Sequence, residues 1–296
     1  MNIRRMKRAV AASVAGLSRR NAMLKIASRG LFVALCVAMV GVLASIGAGS
    51  SRASDTFNLS DEQEIGQQVF EELKGKGEIV SSSALYEPLR PIEAAITRTA
   101  QPYYGRPFKF YLVHEPSPNA FATPGGNVYV TDSLLYFVKN TEELAGTICH
   151  EVSHTIHHDS MALIEKERQI ERREIGAAVL LGPSIAHVLA IQLIGKLNSL
   201  GYSREAESAA DLTGSDVCAG SGYNPWGLVW LFQDFDKADL GQMPQILSDH
   251  PSNAHRVQAL RQHFREKPAV FAKFNTDPKS AKPVAIPKDA TEQFLR

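Results

Sequence analysis

A pair of histidines four residues apart constrains this chain more than any other feature of its sequence. The segment HEVSH at His150–His154 lies where apolar spacing predicts a helix, from a cap at Thr141 through about His157. On a helix, side chains at positions i and i+4 share a face, so both imidazoles can bind one metal ion with Glu151 beside the ion's open position. The alternative is a surface helix whose two histidines have partners other than a metal.

A catalytic zinc ion needs a third protein ligand and leaves its fourth position to water. Glu207, in the segment SREAESAAD at 203–211, is the strongest candidate, because the neighbouring small residues permit close packing against another helix. Asp211 follows four residues later on the same face and can accept a hydrogen bond from a ligand histidine. The alternative for both acids is a solvated helical face.

Five segments, in this order along the chain, resemble the M48 family of zinc metallopeptidases, which includes CAAX prenyl proteases, HtpX-like and Oma1-like enzymes and bacterial periplasmic members. Besides HEVSH and SREAESAAD, they are LSDEQEIG at 59–66, NAFATPGGNVYVTDSLL at 119–135 and HPSNAHR at 250–256. The departures are small. Asp132 and Ser133 stand where a glycine is common, and His157 and His158 replace the usual residues before Asp159.

The resemblance implies a zincin-type fold and one Zn²⁺ per chain, bound by His150, His154 and Glu207, with Glu151 as the general base that activates the zinc-bound water. An oxyanion stabiliser is also needed. The late motif makes His250 and Arg256 candidates for that catalytic role. The alternative for Arg256 is pairing with Asp211 or Glu207. The alternatives for His250 are capping before Pro251 and acting as a fourth zinc ligand in a latent enzyme.

The PGG segment suggests how a substrate binds. Gly125 and Gly126 leave the backbone bare just before a strand that begins at Asn127, so an extended peptide could add itself there through main-chain hydrogen bonds. Asn119, at the start of the same motif, belongs to this predicted substrate-binding group. The alternative is a tight hairpin turn.

The fold is predicted to be α+β and mainly helical, with a small sheet. We expect an export signal or anchor at 1–53, a peptidase domain at 54–266 and an extended tail at 267–296. The predicted elements are helices near 60–73, 89–100, 165–174, 204–219, 225–236 and 252–265, and strands at 107–115 and 127–131.

Charge is distributed unevenly along the chain. Residues 1–53 hold nine of the 32 basic residues and no acidic one, so the remainder is acidic although the whole chain has a net charge of +1. An acidic domain excludes a nucleic-acid binder that works by bulk charge. The remaining cysteines after the N-terminal one, Cys149 and Cys218, are expected to be buried thiols, with a single disulfide as the alternative.

The N-terminus has the pattern of an export signal. Basic residues up to Arg29 precede an uncharged apolar run at 30–49, and a peptidase could cut before Ser54. The segment SRRNAMLK at 18–25 resembles a twin-arginine signal. The alternatives are an uncleaved membrane anchor and a mitochondrial presequence. A second apolar stretch, at 176–195, contains polar residues that disfavour a membrane span; it is expected to be a buried helix, a lid or a membrane-surface contact.

These observations predict an exported zinc endopeptidase that hydrolyses unfolded or membrane-associated polypeptides of the periplasm or cell envelope, in protein quality control by analogy with the family. Nucleic acid is not an expected partner. The rival hypothesis is a zinc-stabilised chaperone or binding protein that holds clients without cutting them. The presence of Glu151 argues against the rival, because a purely structural zinc site has no need of a general base.

Overall fold

Amphipathic helices form most of the structure, a computed structural model that describes residues 59–166, 201–237, 246, 250, 254–288 and 290. The predicted helices that fall within these ranges are confirmed, with ends shifted by at most three residues. In chain order the helices are α1 (Leu59–Gly75), α2 (Tyr86–Ala100), α3 (Asp132–Phe137), α4 (Thr141–Ile156), α5 (Arg204–Gly220), α6 (Trp226–Lys237), α7 (Ala254–Glu266) and α8 (Pro268–Phe271).

A three-stranded sheet completes the α+β fold. The strands are β1 (Lys109–Val113), β2 (Ala120–Thr123) and β3 (Asn127–Thr131), and their order is β1-β3-β2. β3 is central, because it pairs parallel with β1 and antiparallel with β2. β2 was not predicted, because prolines on both sides obscure the alternation of this four-residue strand.

Helix α4, which carries HEVSH, is the central helix. Every residue from Glu143 to Thr155 is buried, so the surface-helix interpretation of HEVSH is wrong. The helix contacts α5, α6, β2 and β3. Its N-cap is Asn140, whose side chain accepts a hydrogen bond from the amide of Glu143. Thr141, the predicted cap, is instead the first helical residue.

The segment after α7 packs onto the domain. Phe271 of α8 is buried in a cluster with residues of α5, α6 and α7. Further along, the carbonyl of Lys282 accepts a hydrogen bond from the amide of Thr141, and the carbonyl of Ala290 accepts one from the hydroxyl of Tyr136. The described part of the predicted tail therefore contacts the first turn of α4 and helix α3.

Several predictions concern residues outside the described ranges, namely the export signal or anchor at 1–53 and the apolar stretch at 176–195. Within the described ranges, no helix combines the length and the apolar character that a membrane span requires. Cys149 and Cys218 are both buried and free, as the preferred interpretation predicted.

Candidate metal centre

The two motif histidines point at each other from one face of α4. His150 Nε2 and His154 Nε2 lie 3.0 Å apart, and both side chains are almost fully buried. Their spacing of four residues produces this geometry, because one helical turn brings i and i+4 together. Two ring nitrogens at this distance can share one proton or one metal ion.

Helix α5 supplies the carboxylate. Glu207 Oε2 lies 3.4 Å from His150 Nε2, and Glu207 Oε1 lies 3.6 Å from His154 Nε2. Glu207 and Asp211 are 3% and 1% exposed, which contradicts the alternative of a solvated acidic face. Burial raises the pKa of Glu207, but the imidazoles of His250, His150 and His154 outweigh burial and hold that pKa below its usual range.

A third imidazole joins these groups. His250 Nδ1 lies 2.8 Å from Glu207 Oε1 and 3.3 Å from His150 Nε2. The ligand atoms of His150, His154, Glu207 and His250 all lie within 4.8 Å of one another, and all four residues are buried. Nitrogen and oxygen donors of this kind are those that zinc takes in proteins. The residues present therefore fit a zinc ion.

Glu151 lies beside this cluster. Its side chain is fully buried, and Oε1 is 3.5 Å from His250 Nε2. The position follows from its place in the motif, one residue after His150 on the same helical turn. A carboxylate here is close to the donor cluster without being one of its four members.

Asp211 and Arg256 contact the ligand residues His150 and Glu207. Asp211 Oδ1 lies 3.0 Å from His150 Nδ1. The guanidinium of Arg256 donates to both oxygens of Asp211, at 2.7 and 2.6 Å, and its Nη1 lies 2.7 Å from Glu207 Oε2. Burial raises the pKa of Asp211, but Arg256 outweighs burial and holds it below its usual range. Arg256 therefore pairs with both Asp211 and Glu207, which is the alternative that the sequence analysis left open for it.

Asp211 and Glu207 also shift the pKa of His150. Burial lowers the pKa of His150, but the hydrogen bonds and charges of Asp211 and Glu207 outweigh burial and raise it to about 10. The same two carboxylates favour a cation at this position, and a bound metal ion would take the place of the proton.

Sequence reasoning missed three residues that support His154. Asp159 Oδ2 lies 2.7 Å from His154 Nδ1, and the ring of Tyr202 stacks on the imidazole with centroids 4.0 Å apart. The hydroxyl of Tyr202 is 2.8 Å from Ser160 Oγ, which also donates to the carbonyl of Ala122 in β2. Asp159 could not be found from helical spacing, because α4 ends at Ile156 before the chain reaches it.

The predicted substrate-binding residues lie away from a free strand edge. Gly125 and Gly126 form a buried turn between β2 and β3, in which the amide of Gly125 donates to Glu62. Asn127 donates to the carbonyl of Gly66, and Asn119 is buried at the start of β2. The prediction that a peptide adds to the strand beginning at Asn127 is therefore wrong, because β1 and β2 already occupy both edges of β3. The alternative interpretation of PGG, a tight hairpin turn, describes the observed connection between β2 and β3.

Comparisons with known proteins agree with this geometry. The model of peptidase family M48 matches residues 90–263. Similar proteins include the beta-barrel assembly-enhancing protease of Escherichia coli, 25% identical over 235 residues that make up 76% of this chain and 48% of that protein. The mitochondrial metalloendopeptidase OMA1 of Schizosaccharomyces pombe is 30% identical over 164 residues, covering 54% of this chain and 47% of that protein.

Metalloprotease LoiP of Escherichia coli is 25% identical over 252 residues, covering 79% of this chain and 95% of that protein. The chain thus spans about half the length of the first two relatives and nearly all of the third.

Proposed function

The chain belongs to peptidase family M48 and is a metalloprotease, and from this premise we propose that it is a zinc-dependent endopeptidase acting on polypeptides of the cell envelope. One observation carries the proposal: His150, His154 and Glu207 converge from two helices, with the carboxylate of Glu151 beside them. Three such donors and an adjacent carboxylate are the set that catalytic zinc requires.

His150, His154 and Glu207 would hold a zinc ion, which would lower the pKa of a bound water to about 7 and polarise the carbonyl of the scissile bond. Glu151 takes the proton from the attacking water and later passes it to the leaving amine. Asp211 and Asp159 each contact the Nδ1 atom of one ligand histidine, and these contacts leave both Nε2 atoms facing the donor cluster.

In this mechanism Arg256 positions the ligands. Its guanidinium is engaged with Asp211 and Glu207, so it neutralises two buried carboxylates and keeps Glu207 oriented toward the histidines. We assign it this positioning role in place of the oxyanion role that the family resemblance had suggested.

The edge strand β2 is the proposed binding element for extended substrates; because Ala120 and Ala122 are buried, a peptide would have to displace the groups that cover them. β2 is the edge strand nearest to α4, and Ser160 Oγ already donates to the carbonyl of Ala122 on its outer side. A peptide added to β2 would be held through its main chain, so its sequence would matter less than its being unfolded.

Location in the envelope rests on the N-terminal sequence and on the relatives. A basic segment followed by the apolar run at 30–49 is typical of an export signal or an anchor. The name of the Escherichia coli relative refers to beta-barrel assembly, and we infer a quality-control role on envelope proteins for this chain. The mitochondrial relative keeps a mitochondrial location as the alternative.

The second candidate function is a zinc-stabilised chaperone or binding protein. His250 favours it, because its Nδ1 atom lies within the donor cluster, and four protein donors are the pattern of a structural zinc site. The same geometry is compatible with a latent peptidase in which His250 occupies the position that water needs.

The test uses the zinc-loaded full-length chain, with zinc content measured by elemental analysis and cleavage measured on casein. We expect one zinc per chain, cleavage by the wild type, and retained zinc without cleavage for Glu151→Gln. Glu207→Gln should lose zinc, whereas its matched control Glu205→Gln, an exposed residue of the same helix, should keep zinc and activity. Cleavage by Glu151→Gln would overturn the mechanism.

A further inference from the structure

Two of the sequence motifs, the opening helix α1 and the PGG turn, meet at one buried carboxylate. Glu62 of α1 is 4% exposed. Its Oε1 atom accepts hydrogen bonds from the hydroxyl of Tyr104 at 2.6 Å and from the amide of Gly125 at 3.3 Å. Its Oε2 atom lies 3.2 Å from His158 Nδ1. Glu62 therefore joins α1, the PGG turn and the segment that follows the HEVSH helix.

Glycines bring α1 and the PGG turn into direct contact. A Cβ atom on Gly66 of α1 would lie 1.9 Å from the carbonyl oxygen of Pro124, so a side chain does not fit there. Gly125 has a φ of 81°, in the left-handed region that favours glycine, and a Cβ atom on it would lie 3.4 Å from the carbonyl oxygen of Glu62. The position of Glu62 is therefore fixed by backbone packing as well as by its hydrogen bonds.

His158 lies at a sharp turn of the backbone. α4 ends at Ile156, and helical residues resume at Asp159. The φ of His158 is 56°, and no other described residue except glycine has a positive φ. This conformation is unfavourable for a residue with a side chain and persists only where the surrounding structure imposes it. The surroundings here are Glu62 and the ring of Tyr104, whose centroid is 5.6 Å from that of the imidazole.

The direction of this turn decides where Asp159 points. Asp159 Oδ2 lies 2.7 Å from His154 Nδ1. Because the two residues are on opposite sides of the turn, a change of φ at His158 would carry the carboxylate away from the imidazole. A continuous set of contacts therefore leads from Glu62 to the turn, and from the turn to a residue of the donor cluster.

Resting on the proposed function, we propose that Glu62 is a positioning residue of the metal centre: by holding the turn at His158, it keeps the carboxylate of Asp159 on the zinc ligand that this carboxylate contacts. A carboxylate on the second ring nitrogen fixes the orientation of a metal-ligating histidine and raises its basicity. The four donors come from other segments, so this role connects the opening helix and the PGG turn with the metal centre.

Exchange of His158 tests the contact without opening the interior, because the side chain is 46% exposed. His158→Asn keeps an N–H donor at about the position of Nδ1, whereas His158→Asp places a second carboxylate opposite Glu62. Asn and Asp both tolerate the left-handed conformation, so backbone strain is matched between the two variants. We expect the full-length Asn variant to bind zinc like wild type and the Asp variant to bind it about threefold to tenfold more weakly, in competition with a chromogenic chelator.

Glu62→Gln changes the other side of the same contact. Loss of the direct partner of a ligand histidine costs about 10- to 100-fold in metal affinity, and Glu62 is one contact further away, so we expect a loss of about threefold to tenfold. The matched control is Glu64→Gln. Glu64 is an exposed residue of the same helix whose side chain accepts a hydrogen bond from Gln68, and its exchange should leave zinc affinity unchanged.

A double-mutant cycle and a spectrum separate positioning from a general loosening of the fold. Asp159→Ala removes the last contact of the series. If Glu62 acts through Asp159, adding Glu62→Gln to Asp159→Ala should weaken zinc binding no further, whereas independent effects would add. With Co²⁺ in place of zinc, the visible absorption bands of Glu62→Gln and His158→Asp should shift in the direction shown by Asp159→Ala. Thermal unfolding identifies the variants that are folded.

Three results would overturn the proposal: wild-type zinc affinity or an unshifted cobalt spectrum in folded His158→Asp and Glu62→Gln, equal losses in His158→Asn and His158→Asp, or additive effects in the cycle. The proposed peptidase function fails in a different way. If zinc affinity changes as expected but the zinc-loaded wild type cuts no casein, Glu62 still positions the metal centre and the binding-protein alternative replaces the enzyme.

Discussion

Gly214 of α5 packs directly against the backbone of His150 in α4. A Cβ atom placed on Gly214 would lie 3.1 Å from both the amide nitrogen and the Cα of His150, closer than ordinary van der Waals contact. The missing side chain therefore lets α5 approach α4 closely enough for Glu207, two turns earlier on α5, to reach the ligand histidines.

Substitution of Gly214, which is not itself a candidate ligand, should weaken zinc binding. In Gly214→Ala the added methyl group requires backbone atoms of α4 to shift by a few tenths of an ångström, and overpacking of this kind costs about 1–3 kcal/mol, which the better helix propensity of alanine offsets by about 1 kcal/mol. We expect weaker zinc binding, measured by competition with a chromogenic chelator, and a lower melting temperature. Gly75→Ala, where nothing lies within 4 Å of the added methyl group, is the control. Wild-type zinc affinity in Gly214→Ala would contradict this interpretation.

The sequence predicted close packing of α5 but not the residue that makes it. The small residues Ala206, Ser208, Ala209 and Ala210 indicated a tight helix contact, yet of these four only Ala210 is buried. The close approach occurs one turn later, at Gly214. Which turn touches a neighbour depends on where two helices cross, and a single sequence does not specify that position.

Residues at helical spacing could be predicted, and residues beyond a helix end could not. His150, His154 and Glu151 follow from the period of one helix, and Asp211 follows from Glu207 in the same way. Asp159 contacts His154 although it lies past the end of α4, after His158 has turned the chain with a φ of 56°. Tyr202 reaches the site through tertiary packing alone, and His250 was a candidate only through the family resemblance of its motif.

Asp211→Asn should weaken both the zinc site and the fold. The change removes the charge that faces His150 and leaves Arg256 with one of its two carboxylate partners. Loss of a group that orients a metal ligand costs about 10- to 100-fold in metal affinity, and breaking a buried ion pair costs about 3–5 kcal/mol. Zinc titration and urea unfolding measure the two effects.

The matched control is Asp216→Asn on the same helix. Asp216 pairs with Lys267, both side chains being well exposed at 39% and 47%, and its Oδ1 also lies 3.1 Å from His263 Nε2. Because solvent screens the pair with Lys267, we expect Asp216→Asn to cost less stability than Asp211→Asn. Equal effects of the two substitutions would show that Asp211 has no special relation to the metal centre.

His250→Ala distinguishes the two roles left open for His250. The imidazole lies within the donor cluster, so a zinc ion that took it as a fourth ligand would have no position for water. We expect the variant to keep one zinc, since three ligands remain, and to cut casein faster than the wild type. His255→Ala, an exposed residue nearby, should change neither property. Loss of cleavage with retained zinc would instead assign His250 to stabilisation of the oxyanion.

Glu93 of α2 should make the stability of the domain depend on pH. Burial raises the pKa of Glu93 to about 7, against a smaller opposing effect of Arg90. Because its pKa is higher in the folded state, folding favours the protonated carboxyl. Its favourable contribution is complete below the unfolded pKa of 4.5 and is lost as the pH rises through about 7.

Glu93→Gln has nearly the shape of the protonated glutamate and is uncharged at every pH. Relative to the wild type, the variant should therefore gain stability between pH 5 and pH 8, by roughly 2 kcal/mol at pH 8, a value reduced from the full pKa shift because solvent reaches part of the Glu93 side chain. Urea unfolding of both zinc-loaded proteins at the two pH values measures this, and the pH dependence of the zinc site cancels in the difference. Glu87→Gln, an exposed residue of the same helix, should show no such trend. A difference between Glu93→Gln and wild type that does not change with pH would show that Glu93 is charged in the folded protein at pH 5.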